Sequence, residues 1–165
     1  MTKVDLLEVL SVATREVTAD IIMPVRRQKE DKTEPEPRAA GIHKMRLPDS
    51  SAAQKKAPYI IHQIITGRDT QTSGKPVSAS VTVRSIFCVY NDNEEEGGLM
   101  LLNLMERLRI ALLERVVIGD RFQLDLEAGL ECLIYPDDTA PYYAGEMSST
   151  WILPAVRREV KNIWQ

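Results

Sequence analysis

The stretch from Val77 to Ile118 constrains the fold most, because it writes a strand, a turn and a long helix in immediate succession. From Val77 to Tyr90 apolar and polar residues alternate. Val77, Ala79, Val81, Val83, Phe87 and Val89 fall on one side, and Ser78, Ser80, Thr82 and Arg84 on the other. A period of two predicts a half-buried strand. Asn91, Asp92 and Asn93 then end it and offer side-chain oxygens to the first free amides of a helix, while Glu94, Glu95 and Glu96 suit the positive end of the helix dipole. Leu101, Leu104, Met105, Leu108, Leu112 and Val116 recur at helical spacing, with Asn103, Glu106, Arg107 and Glu114 off that stripe. The helix is expected to lie on the strand's apolar face.

Ahead of this unit, Thr2 and Asp5 have the spacing of a capping box, and Leu6, Leu10, Ala13 and Val17 form a helical stripe, which predicts a first helix from about Val4 to Ala19. Between Arg26 and Arg38 charge and proline leave little to bury, so a mobile charged loop is expected around 26–38. Its basic residues Arg26, Arg27, Lys29 and Lys32 interleave with Glu30, Asp31, Glu34 and Glu36, which cancels most of their field. Ile42 to Leu47 reads as a short edge strand ended by Pro48. Tyr59 to Thr66 is apolar on both faces, Ile60 and Ile64 against Tyr59, Ile61 and Ile65, which fits a strand covered twice, by helices or by a neighbouring subunit. The turn chemistry of 67–76 pairs it with Val77–Tyr90 as an antiparallel hairpin.

Beyond the long helix, Gly119-Asp120 breaks the pattern and Leu130–Tyr135 reads as a strand. A loop carrying Pro141, Tyr142, Tyr143 and Gly145 follows, and Glu146–Leu153 alternates as a last strand before Pro154. Val156, Val160, Ile163 and Trp164 are spaced for a short amphipathic helix, which is marginal unless it docks. The expected architecture is one α+β domain over 1–165: an antiparallel sheet with the long helix on one face and a further N-terminal helix.

At 165 residues, 44% hydrophobic and 27% charged, with a net charge of −3, the chain has enough material for one core and lacks the basic field of a dedicated nucleic-acid binder. No apolar run reaches membrane-spanning length, and Asp5 and Glu8 interrupt the stretch that might imitate a signal peptide, so a cytoplasmic start is expected. Cys88 and Cys132 both fall in predicted strands and read as small buried hydrophobes without a disulfide.

Catalytic signals are weak. His43 and His62 are the only histidines, and neither has a second ligand at recognised zinc spacing. His62, mid-strand among isoleucines, reads as a packed, hydrogen-bonded side chain. Gly97-Gly98 near a helix start lacks the rest of a phosphate loop, and the glutamates before it repel phosphate. Glu94–Glu96 and Asp137-Asp138 are acidic pairs or runs that read as solvated, with a weak divalent-cation site as the alternative. The residues predict no catalytic centre, cofactor or metal. The competing reading is a small hydrolase or ligand-binding domain using His62, Cys88 or Asp137/Asp138.

Several segments in order carry a resemblance. "MRLP" (Met45–Pro48) precedes "APYIIHQIITGRD" (Ala57–Asp69) and "VTVRSIFCVYND" (Val81–Asp92). "GGLMLLNLMERLRIALLE" (Gly97–Glu114) and "APYYAGEMSSTWILPAV" (Ala140–Val156) follow. From about Ile42 to Arg158 the chain resembles the tail-terminator, or tail-completion, proteins of long-tailed bacteriophages and prophages. The resemblance implies a virion structural protein that forms a homohexameric ring on the finished tail tube, stops polymerisation and presents a surface for head-tail joining. It implies the tail-tube protein and a head-completion or connector protein as partners, with DNA passing through without specific binding, and location in the virion tail. For such a ring Tyr142, Tyr143, Tyr59 and Trp151 are the aromatic interface candidates.

Overall fold

The capping box at Thr2 forms as the sequence predicts: its hydroxyl accepts from the Asp5 amide and the Asp5 carboxylate accepts from the Thr2 amide. Helix α1, Lys3–Thr18, starts there and buries Leu6, Leu10 and Ala13. The structure is a computed structural model, and it describes residues 1–49, 53, 56–136 and 139–156. After α1 come β1 (Gly41–Lys44), β2 (Tyr59–Thr70), β3 (Ser78–Tyr90), α2 (Glu94–Arg115), β4 (Val117–Ile118), β5 (Phe122–Leu124), β6 (Leu130–Ile134) and β7 (Tyr142–Leu153). The short helix expected around Val156–Trp164 falls almost wholly outside the described residues.

The strands make one curled sheet in the order β1-β2-β3-β7-β5-β4, and β6 also pairs with β7, alongside β5. With its two described helices the chain is a single α+β domain. The sheet is mixed, which corrects the expected antiparallel one: β1 runs parallel to β2, while every other pairing is antiparallel. Parallel neighbours need a crossover of about a dozen residues. The connector 45–58 supplies that length, and Pro58 and His62 carbonyls accept from the Gly41 and Met45 amides.

Both helices lie on one face. Leu101, Leu104, Met105, Leu108 and Leu112 of α2 are buried with Leu6 and Leu10 of α1 against Ile60, Val81, Val83, Phe87, Val89, Met147 and Trp151. Each such side chain contributes roughly 2 kcal/mol relative to exposure. Asn93 caps α2 by accepting from the Glu96 amide, as its position before three glutamates predicts. A Cβ on Gly97 would stand 2.2 Å from the Tyr143 ring, so that glycine admits a tyrosine against the first turn of α2 rather than a phosphate.

The other face of β2 and β3 carries a second, smaller core of Tyr59, Ile61, Cys88, Tyr90 and Tyr142, closed by Leu47 and Ala57. The two-faced burial of β2 is therefore satisfied within the chain, by its own connector. Ile65 alone escapes, because a register shift between Ile64 and Thr66 turns it out to solvent. At the far end, Gly119 and Asp120 both have φ of 57°, and the Arg121 amide donates to Ile118. This is the backbone of a two-residue hairpin turn, and it joins β4 to β5 where only a break was expected.

Candidate interaction surface

His62 and Cys88 are both drawn into the interior. His62 is fully buried on the helix-side face of β2. Its Nδ1 lies 2.8 Å from Ser85 Oγ on β3 and its Nε2 2.9 Å from Thr14 Oγ1 on α1. Thr14 already donates its hydroxyl proton to the Leu10 carbonyl at 2.7 Å, so its oxygen is left to accept from histidine. That fixes the tautomer: Nε2–H donates to Thr14, and Nδ1 accepts from Ser85. Desolvation pushes the imidazole pKa down to about 3, so the ring is neutral. The chain of bonds ties α1, β2 and β3 together and uses every polar atom of the ring.

Cys88 sits on the opposite face. It opposes Tyr59 across the β2–β3 ladder, whereas His62 opposes Ser85. The pleat puts those two registers on different sides, and the sheet separates thiol from imidazole. Burial pushes the Cys88 thiol up to about 11, away from the thiolate needed for attack. Cys132, expected to be buried like Cys88, is exposed on β6, and both thiols are free. His43 lies on edge strand β1, where partial burial and the nearby Lys56 and Arg38 charges lower its pKa. Glu94, Glu95 and Glu96 are the exposed first turn of α2. Asp137 and Asp138 lie outside the described residues. Among the described residues no group of three or more histidine, cysteine or acidic side chains is placed to hold a metal ion.

The aromatic candidates pack against the chain's own two cores. Tyr142 and Tyr143 open β7 instead of sitting in a loop, because they pair in register with Tyr90 and Val89. The loop assignment is corrected: Pro141 and Gly145 bracket a strand start here. Tyr142 is buried in the second core, its ring 5.7 Å from that of Tyr90, and Tyr143 packs against the first. Tyr59 is buried beside Cys88, and Trp151 has no exposed surface, its Nε1–H donating to Ser149 at 3.0 Å. These four rings spend their area on this chain's own sheet.

The charged segment 26–38 is closed at its base by an antiparallel bridge between Met23 and Arg38. Arg26 donates to Tyr142 Oη at 3.2 Å and lies 5.6 Å from that ring's centre, while Arg38 donates to the carbonyls of Ala39, Lys56 and Pro58. Arg26 and Arg38 thus fasten connectors over the second core.

Apolar surface concentrates elsewhere. Among the described residues β6 pairs with β7 alone, and it exposes Leu133 by 52%, Ile134 by 44% and, just past its end, Tyr135. Tyr135 is held by its hydroxyl donating to Glu146 at 2.8 Å, within a polar patch where Arg84 donates to Gln63 at 2.9 Å. Cys132 faces the α2 side, near the Glu106–Arg109 ion pair. α2 itself turns Leu99, Leu102 and Ile110 outward. The sequence marked β6 as a strand, but nothing in its composition told an edge from a centre. No described helix is long and apolar enough to cross a membrane. Compared with protein-family models and with curated proteins, the sequence matches none.

Proposed function

We propose that the protein is a phage tail-terminator subunit, which assembles as a homohexameric ring on the completed tail tube and offers the head connector its docking surface. The observation that carries this reading is the exposed apolar run Leu133–Tyr135 of β6, whose far edge meets no described strand. An open edge strand rich in apolar side chains invites pairing with another chain, and soluble proteins normally blunt it with charge or cover. The sheet also ends differently on its two sides, in β1 and in β4 with β6. Unlike ends are what a head-to-tail contact needs, and such contacts close into a ring when the rotation per subunit permits. His62 and Cys88, two of the groups a catalytic reading would use, are buried on opposite faces of the sheet, which favours a binding role.

In the virion the ring contacts itself, the tail-tube protein and the connector, and DNA passes through a channel that does not grip phosphate. The net charge of −3 suits that passage. Removing the gene from a producing phage tests the proposal: tails of uncontrolled length and unjoined heads are expected, restored by the purified protein. Tails of normal length joined to heads in its absence would overturn it.

A further inference from the structure

We infer that β6 of each subunit pairs with the uncovered end of β2 in the next copy of the chain, a join that rests on the ring reading and names the surface β6 meets. One sheet would then run on from subunit to subunit. β1 covers the outer edge of β2 only from Tyr59 to His62. Met45 extends that cover by accepting from the Gln63 side chain and the Ile64 amide. Beyond it, residues 65–70 are exposed and meet no described strand on that side, although β3 pairs with Thr66 to Thr70 on the other. This stretch and β6 lie on opposite sides of the sheet. Uncovered strand edges are templates for a further strand, and each subunit has one of each kind to give. The remaining outer strands offer less, since β1 is half-buried through His43 and β4 has two residues.

Direction, charge and stagger all fit a second copy as the occupant. Successive antiparallel pairings through β3 and β7 leave β2 and β6 running in opposite directions. Copies related by rotation about an axis along the strands keep those directions, so the join is an antiparallel ladder. Arg68 pairs in register with Ser80 and Glu131 with Ser148, each one position from the buried, helix-side Val81 and Met147. Arg68 and Glu131 therefore stand on the same face of the sheet, the one away from the helices. Both are exposed, and neither takes part in an ion pair among the described residues. Opposite charges directly across a ladder stabilise it. Setting Arg68 of one copy against Glu131 of the next brings Ile65, 48% exposed, opposite Ile134, 44% exposed, so the same register covers apolar surface on both edges. Residues 66–69 of β2 stand level with 150–153 of β7, whereas β6 stands level with 145–149. The two edges are thus offset along the strands, and a sheet that closes on itself needs such a stagger.

The test is a charge swap joined to cysteine trapping in the full chain. Arg68→Glu alone and Glu131→Arg alone should each weaken self-association severalfold by sedimentation, with the parent's circular dichroism and melting, and the two changes together should restore it. For trapping, Arg68→Cys and Glu131→Cys are made separately in a Cys132→Ser background, leaving buried Cys88 in place. Residues directly opposite in a ladder are close enough for a disulfide. Co-expressed and oxidised, the two proteins should cross-link to each other, and neither should cross-link to itself. Cross-links within either protein alone would mean that like edges meet, which overturns the join. Rings that close in both single swaps and give no 68–131 cross-link would overturn it too, while leaving the ring reading intact. A chain that stays monomeric, both free and mixed with tails, also overturns the join. The terminator reading is judged separately, by tail length and head joining when the gene is removed.

Discussion

β3 and β6 flank the same strand, β7, and both are written in apolar residues, yet they end in opposite environments. β3 pairs with β7 from Ala79–Leu153 to Tyr90–Tyr142 and with β2 on its other edge, so Val81, Val83, Phe87 and Val89 are sealed beneath the helices. β6 pairs with β7 only from Leu130–Ser149 to Ile134–Gly145, and its far edge meets no described strand. Its Leu133 and Ile134 stay half in water. The difference lies in the neighbours, since the residue types are alike. A strand that leaves apolar side chains in water is where contacts with other molecules are to be sought.

The comparison breaks first if the β3 side is not the true core. Leu108→Asp places a charge where α2 meets the sheet, at a side chain with no exposed surface. Truncation there costs about 2–5 kcal/mol and an unpaired charge costs more, so loss of the cooperative melting transition is expected. A folded variant with the parent's melting temperature would place α2 elsewhere. Next in size is the acid response of His62. Its folded pKa near 3 lies below the ordinary value near 6.5, so the unfolded chain binds the proton first. Stability is unaffected above pH 6.5 and falls as pH drops from 6.5 toward 3, by about 2 kcal/mol at pH 5 at 1.36 kcal/mol per pH unit. Urea midpoints at pH 7 and pH 5 should diverge by that much more for the parent than for His62→Gln. Equal pH dependence in the two proteins would show that the ring titrates normally.

How much of this was legible follows from which contacts are local. The Thr2–Asp5 box, the Asn93 cap, the α2 stripe and the alternation of β3 depend on residues within a turn or two of each other, and all were readable. β4 and β5 escaped because two and three residues are too few to show a period, although Gly119-Asp120 between apolar pairs was a hairpin signal. Tyr142 and Tyr143 were misplaced because Gly145 reads as turn chemistry. Its real reason is distance: a Cβ there would lie 2.8 Å from the Leu133 carbonyl and 2.9 Å from Met105 Sδ. The parallel β1–β2 pair and the open edge of β6 depend on partners far along the chain, which no local pattern encodes.

The second face of β3 gives a smaller effect. Arg26→Ala removes the cation that donates to Tyr142 and lies beside its ring, while leaving the Tyr90–Tyr142 contact in place. Limited proteolysis should cut faster within 27–37 than in the parent, with the melting transition of the main core nearly unchanged. Equal cleavage rates would mean that the Met23–Arg38 bridge and the Arg38 hydrogen bonds hold the segment without Arg26.

The smallest effect on stability should come from β6, and it is the one that separates the two strands most cleanly. Leu133→Lys and Ile134→Lys replace side chains that are already about half in water, and neither lies in either core. Exposed substitutions of this kind usually change stability by no more than about 0.5 kcal/mol. The same two lysines put charge on an open edge, the device by which natural sheets refuse a further strand. If β6 is where one subunit meets the next, the double variant should melt like the parent yet stay smaller by sedimentation, and tails supplied with it should run past their normal length. Val83→Lys, the matching change on β3, should instead abolish folding and so cannot report on assembly at all. A β6 variant that folds and still closes rings would move the contact to another exposed patch, with Leu99, Leu102 and Ile110 on α2 the next to be changed.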